Sequence, residues 1–429
     1  MTIHREINQQ SKDKDDRASR RSDMRVISTL RSVLRFRKFE WDPVIRRLQT
    51  AASISDLRLK AKRRLPGGVF DYIDGAAEDE VTLRRNSEAY GAVEFRPRVF
   101  RDVSNISLQS KLFGRDLSFP LILAPTGFGR IADSQGELAV ARAADRAGIP
   151  YTLSTLGTRS IEEIAEVSSG RKWFQVYVWR DRELVREMLE RAIAADYEGI
   201  MITVDTAVLG RRERDVRQGF TLPPKIGMGT IIDGMLHPGW TWDFVTSDPI
   251  SFANVKGKGV GDGSDPVTLS DYINSQFDPS LSWADVEWFR SIWKGPIVIK
   301  GIQTVEDAKI ASDLNLEGIA LSNHGGRQLD GAPAPFELLE SVVQAVGGDI
   351  EIICDGGVRR GSDIAKAIAL GANACMAGRA YLYGLGAGGE RGVDYALLHL
   401  REGLERTMAL AGASSLSELT PDLIRVRRD

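Results

Sequence analysis

The chain has 429 residues, 42% of them hydrophobic and 27% charged, with a formal net charge of −2. That balance gives no electrostatic footprint for nucleic acid. The 2 cysteines, Cys354 and Cys375, supply neither a disulfide framework nor a zinc-ligand spacing, so no metal is expected and a reducing compartment is favoured. No apolar run is long enough to span a bilayer, and the length suits a barrel with insertions.

Residues 1–23 are polar, charged and free of aromatics, which predicts disorder. Arg20-Arg21 is followed by no apolar segment, so it is not read as a twin-arginine export signal. Over 24–41, Ile27, Leu30 and Leu34 keep helical spacing among Arg25, Arg31, Arg35, Arg37 and Lys38. This is either an amphipathic helix on an anionic membrane or a basic solvated helix packed on its own domain. We take residues 1–52 as a polar and basic extension, partly disordered, and 53–429 as the folded domain. Residues 53–90 predict short helices, with Ser55 or Asp56 as the N-terminal cap and Pro66-Gly67-Gly68 as a break. Tyr72 lies in the second of these helices.

From residue 121 short apolar runs alternate with helical patterns. The runs are Leu121–Pro125, Tyr151–Ser154, Trp173–Val178, Gly199–Val204, Pro296–Lys300, Gly318–Leu321, Glu351–Cys354 and Ala374–Ala377. Helical patterns such as Gly136–Gly148, Arg182–Ala195 and Phe336–Val346 separate them. This predicts an α/β fold, a (β/α)8 TIM barrel with an N-terminal helical extension and a long insertion after the fourth strand. No GxGxxG fingerprint follows an early strand, which argues against a dinucleotide-binding sheet. The insertion, 207–281, is too long for an ordinary loop. It carries a glycine-rich stretch, Gly257 to Gly263, and an apolar one with Met228, Ile231, Ile232, Met235, Leu236, Trp240, Trp242 and Phe244. The latter is read as a cap on the barrel mouth, or as a contact with a membrane or partner.

In such a barrel chemistry belongs at the carboxyl ends of the strands. Those positions are Pro125-Thr126-Gly127, Ser154, Gln175, Tyr177, Thr203, Asp205, Lys300, Ser322, His324, Asp355-Gly356-Gly357 and Gly378-Arg379. Of the 4 histidines only His324 follows a buried strand and precedes glycines. It can take a proton near neutral pH, and Arg327 can grip a carboxylate through two parallel bonds. The same pair would also serve as a structural histidine with a surface arginine. The glycines and arginines after the last two strands suit a phosphate dianion, or alternatively form plain tight turns. Lys300 is costly to bury without a negative partner; an anionic cofactor is expected to supply it.

These residues resemble the FMN-dependent α-hydroxy-acid dehydrogenase/oxidase family from about Ser55 to the C-terminus. The motifs that carry the likeness are Ala-Pro-Thr-Gly, Thr-Val-Asp-Thr with Leu-Gly-Arg-Arg-Glu, Ser-Asn-His-Gly-Gly-Arg-Gln-Leu-Asp and Asp-Gly-Gly-Val-Arg-Arg-Gly, in the family's order. The extension and the insertion look most like the actinobacterial L-lactate dehydrogenase type.

The resemblance implies roles. Pro125, Thr126, Gly127, Ser154, Gln175 and Thr203 would line the flavin, with Ser322 near it and Lys300 stabilising the reduced ring. Asp355, Gly356, Gly357, Arg359, Gly378 and Arg379 would hold the ribityl phosphate. His324 would be the base, Asp205 its orienting carboxylate and Arg327 the carboxylate clamp. Tyr72, Tyr177 and Arg212 would complete the substrate shell, and Leu156 would face the substrate side chain. The implied reaction is oxidation of an L-2-hydroxy acid, L-lactate to pyruvate, with electrons passed to a respiratory quinone or cytochrome. An oxidase making hydrogen peroxide, or a dehydrogenase for mandelate or another 2-hydroxy acid, is the alternative; Gly127, where several family oxidases have alanine, leans toward the dehydrogenase. The resemblance implies a homotetramer; the basic stretch 24–41, the apolar insertion and Gly127 lead us to expect a cytoplasmic protein with a peripheral contact on the inner face of the membrane, and the charge balance no nucleic-acid partner.

Overall fold

The computed structural model describes residues 40–217, 227–255 and 276–427. The chain divides into two compact units, residues 1–46 and 47–429. The polar tail and nearly all of the expected basic helix over 24–41 lie outside the described residues, as does Gly257 to Gly263.

Eight parallel strands close a barrel in the second unit. They are β1 Leu121–Leu123, β2 Tyr151–Ser154, β3 Lys172–Tyr177, β4 Gly199–Thr203, β5 Ile297–Ile302, β6 Gly318–Leu321, β7 Glu351–Asp355 and β8 Ala374–Ala377. Each pairs with the next in sequence, and β8 returns to β1 with Cys375 opposite Leu121. The strands read as continuous apolar runs because both faces are covered, by the barrel interior and by the surrounding helices. Those helices are α1 Gly136–Ala147, α2 Ile161–Val167, α3 Arg182–Ala194, α4 Asp285–Ile292, α5 Val305–Asp313, α6 Pro335–Val346, α7 Gly361–Ala369 and α8 Arg379–Ala411. The expected barrel is the observed one, with boundaries moved slightly. Helix α8 breaks at Gly388 and Gly389, and its His399 Nε2 donates to Ala51 O (3.0 Å), a packing role.

The interior fills with large and small side chains together, including Trp173, Met201, Met376, Ala320 and Ala374. A hairpin plugs the amino end. Its turn residues, Phe113 (φ 53°) and Gly114 (φ 72°), are both left-handed, as a tight two-residue turn requires. Phe113 packs on Trp173 at 5.1 Å. With that end sealed, the carboxyl end is left for the site.

One sequence expectation is corrected here. The cap of helix Ile54–Arg64 is Ser53, neither Ser55 nor Asp56. Asp56 is the third helical residue, and its carboxylate accepts from Ala52 N (3.0 Å) and Ser53 Oγ (2.9 Å), a reciprocal cap that the sequence spacing permits. The insertion holds a helical hairpin, Met228–Leu236 and Pro238–Thr246, with His237 at the junction. Polar groups fasten the hairpin to the barrel unit. Asp233 accepts from Gly67 N (2.6 Å), Asp243 from Ser134 N (2.9 Å), and Trp240 donates to Ile131 O (2.7 Å).

Candidate active site

After β6 the chain turns through three successive left-handed residues, His324 (φ 59°), Gly325 (φ 65°) and Gly326 (φ 77°). A histidine there is uncommon and costs free energy, so the surroundings must hold it. Asn323 and Asn86, both buried, exchange two amide hydrogen bonds (2.8 and 2.7 Å) beneath the turn. Ala77 N donates to Gly326 O at 2.9 Å. A Cβ on Gly326 would lie 2.8 Å from Leu83 N, so only glycine fits that close approach.

The turn aims the imidazole at two partners. Nδ1 meets Asp205 Oδ1 at 2.9 Å, and Nε2 meets the Tyr177 hydroxyl at 3.3 Å. The carboxylate accepts only, so Nδ1 carries the proton and Nε2 holds the lone pair. Burial lowers the His324 pKa, and the Asp205 charge opposes that fall. Burial would raise Asp205, but His324 and Lys300 pull it below the ordinary carboxylate value. Burial and the Asp205 charge raise Tyr177, keeping its hydroxyl protonated. The group is a neutral base backed by an ionised carboxylate.

Three arginines stand nearby. Arg327 donates from Nη1 to Tyr72 O (2.7 Å) and Gly75 O (3.1 Å), and its guanidinium lies 5.0 Å from the Tyr72 ring centre. Burial, then Arg212, push its pKa down, a sign of cations held close without enough negative charge. Arg212 has its Asp215 partner at 3.9 Å and a buried Nε with no hydrogen bond among the described residues. This corner is built for an anion. Arg379 is different. Its three nitrogens donate to Ile73 O, Gly325 O and Gly75 O at 3.1, 2.8 and 2.7 Å, so it ties the His324 turn to the preceding helix.

On the other side, Ser154 Oγ donates to Gln175 Oε1 (2.9 Å), and Gln175 Nε2 donates to Thr203 Oγ1 (3.0 Å). Thr126 Oγ1 and the Tyr381 hydroxyl lie 2.7 Å apart. Lys300, 3% exposed, donates to Ser322 Oγ (3.0 Å), which donates to Asp355 Oδ2 (2.7 Å). Asp355 stands 3.6 Å from Lys300. This corrects the expectation that the counter-charge must come from a cofactor: the next strand but one supplies it. It also turns the Asp355 carboxylate away from phosphate duty, since it is an anion committed to Lys300. Arg359 carries its charge over the Tyr383 ring at 5.7 Å, and Asp363 accepts from its backbone N–H.

Every candidate cofactor, substrate and catalytic residue named from the sequence lines one cleft, except Asp205 and Ser322, which sit behind it touching residues that do. Sequence reasoning named Tyr72 and Leu156 but missed the rest of the cleft's aromatic wall. Phe128 packs edge-on against Phe252 (4.6 Å) and Tyr72 (6.0 Å), with Leu156, Leu209 and Phe277 beside them. Phe128, Phe252, Leu209 and Phe277 come from connecting segments that have no periodicity to read. Also missed was buried Asp74, which takes Arg58 (2.5 and 2.7 Å), Tyr383 (2.7 Å) and Arg214 (3.0 Å). Burial would raise that carboxyl, but Arg58 and Tyr383 draw it down to about 2.

Comparison with known proteins agrees with this chemistry. The family profile described as FMN-dependent dehydrogenase matches residues 61–426. A putative L-lactate dehydrogenase of Mycobacterium tuberculosis is 46% identical over 396 residues, 92% of this chain and 94% of that protein. An L-lactate dehydrogenase of Pectobacterium atrosepticum is 42% identical over 375 residues, 86% of this chain and 95% of the other. The crystal structure of the monotopic membrane protein (S)-mandelate dehydrogenase superposes with a TM-score of 0.85 at 39% identity, over 88% of this chain and 100% of that one.

Proposed function

The chain belongs to the FMN-dependent dehydrogenase family, and on that footing we propose that it oxidises L-lactate to pyruvate and passes the electrons to a membrane quinone or cytochrome. That it is an FMN-dependent oxidoreductase follows from its relatives; the substrate and the acceptor are the proposal. The observation that carries the reading is the His324–Asp205 pair, 2.9 Å apart, opening beside Arg327 into the cleft.

The residues present fit FMN. Ser154, Gln175 and Thr203 form a relay of donors and acceptors suited to the polar edge of a flavin, and the buried Lys300 adds a cation there. Pro125, Thr126 and Gly127 follow β1 along the same wall. Gly356, Gly357 and Gly378 with Arg359 leave an open, cationic wall for a phosphate. Arg379 shapes that wall through the His324 turn. When bound, FMN takes up the two electrons.

The chain's own residues do the rest. Arg327 and Arg212 hold the substrate carboxylate, and Tyr72 closes over it. His324 Nε2 accepts the hydroxyl proton, and Asp205 stabilises the imidazolium that forms. The Tyr177 hydroxyl donates to the substrate oxygen. Fixing these groups lowers the barrier by orientation.

The test is anaerobic mixing with a panel of 2-hydroxy acids while the flavin absorbance is followed. L-Lactate is expected to bleach it fastest. A second reading has its own observation: the Phe128–Phe252 wall suits an aryl side chain, and mandelate bleaching faster than lactate would favour it. Oxygen turnover equal to quinone turnover would favour the oxidase reading.

A peripheral membrane contact is part of the proposal. The hairpin spends its polar groups on the barrel unit and turns Met235, Leu236 and Trp242 outward at 72–73% exposure, with Met228, Ile232 and Val245 also exposed. Such a face suits insertion at a lipid interface. Among the described residues no helix is long and apolar enough to cross a membrane. We place the protein on the cytoplasmic face as a homotetramer, the assembly to be checked by light scattering.

A further inference from the structure

Asp205 raises a question of support. Its side chain is 3% exposed, yet Oδ2 has no hydrogen-bond partner among the described residues. Among the described residues, the hydrogen bond that the carboxylate takes from another residue is that of His324 Nδ1, while Gln328 Nε2 holds the backbone carbonyl at 2.9 Å. Two polar contacts do not define the rotation of a buried carboxylate that must face His324 squarely.

The missing constraint is steric and comes from β5. The pairing of β5 with β6 slips between Lys300 and Ile302, leaving Gly301 in a bulge at φ +114°. A Cβ on Gly301 would lie 2.9 Å from Asp205 Cβ, 3.0 Å from its N and 3.1 Å from its Cγ. The backbone therefore touches Asp205 where any side chain would displace it. A bulge re-aims its neighbours, and here Lys300 turns into the cleft while Gly301 backs the carboxylate. Asp205 and Gly301 both line a second cavity outside the substrate cleft, so the His324–Asp205 bond bridges the two spaces.

We propose that Gly301 is a positioning residue for the proton transfer, the seat against which Asp205 is held facing His324. This rests on the reading of His324 as the base. The holoenzyme carrying Gly301→Ala should keep its FMN and bind oxalate within about twofold of wild type, because Arg327 is untouched. Anaerobic reduction by lactate should slow at least tenfold. The chain has only 4 histidines, so the His324 ring can be assigned in NMR spectra by difference with His324→Ala. Its titration midpoint should fall in Gly301→Ala and in Asp205→Asn alike, since a displaced carboxylate no longer supports the imidazolium. In the double variant the Gly301 change should add nothing to Asp205→Asn. A wild-type titration midpoint, a multiplicative loss in the double variant, or loss of FMN from Gly301→Ala would each overturn the proposal, the last by making Gly301 a requirement of the strand. Asp205→Asn reducing at the wild-type rate would instead remove the His–Asp reading itself.

Discussion

The strand ends around His324 and the helical hairpin Met228–Thr246 belong to the same unit and treat polar groups in opposite ways. At the strand ends, polar side chains line the cleft and bind mainly one another, as in the Lys300–Ser322–Asp355 and Ser154–Gln175–Thr203 chains. What they leave unmet is specific: a buried Arg212 Nε and a crowd of cations beside Arg327. In the hairpin, Asp233, Asp243 and Trp240 turn toward the barrel unit, and the apolar side chains face outward. What the hairpin leaves unmet is area without direction. The first shortfall selects a small anion by geometry, and the second selects an apolar surface by extent.

The largest expected effect lies on the cleft side. Asp205→Asn should slow flavin reduction about 10³–10⁴-fold, the scale seen when a buried orienting carboxylate is neutralised. The pH profile sharpens the point. Neutral His324 is the active form, and burial sets its pKa below the ordinary value, so the rate should rise with pH through a midpoint below about 6.5. Removing the Asp205 charge should move that rise to still lower pH while lowering the plateau. A profile that moved upward would contradict the assignment.

Arg327→Lys keeps the charge and loses the planar fork. It should weaken lactate and oxalate binding together by about 2–5 kcal/mol, with FMN content unchanged. Unaltered binding of both acids would place Arg327 outside the substrate contact.

The hairpin is tested separately. Replacing Met235 and Trp242 by aspartate should reduce co-sedimentation with anionic vesicles by about tenfold or more, since each apolar side chain is worth about 1.5–3 kcal/mol when buried. Turnover with a soluble acceptor should not change. Full sedimentation of that variant would assign the face to another partner.

Gly127→Ala should have the smallest effect. The added Cβ would lie 3.1 Å from Leu156 O and 3.2 Å from Leu156 Cβ, so the neighbour must give by a few tenths of an ångström. A modest rise in oxygen turnover relative to quinone turnover is expected, measured by peroxide release. A fall in that ratio would detach Gly127 from the choice of acceptor.

The same comparison explains what could be read in the sequence. The barrel was legible because strands covered on both faces must be apolar and must end where polarity begins. His324, Arg327 and the glycine loops stand at those ends. The aromatic wall of Phe128 and Phe252 was not legible, because loop positions meet only in the folded chain. The Lys300–Asp355 pairing joins strands far apart in sequence, and Arg379 spends its nitrogens on carbonyls that no motif reveals. The hairpin's apolar composition was visible, but only the directions of Asp233 and Asp243 place that composition outside.

The central claim is that His324 is the base, and one measurement addresses it most directly. Purified His324→Ala is mixed anaerobically with saturating L-lactate, with bound FMN and oxalate affinity measured on the same sample. The account predicts a yellow protein that binds oxalate and bleaches at least about 10³-fold more slowly than wild type. Bleaching near the wild-type rate with FMN retained would contradict it.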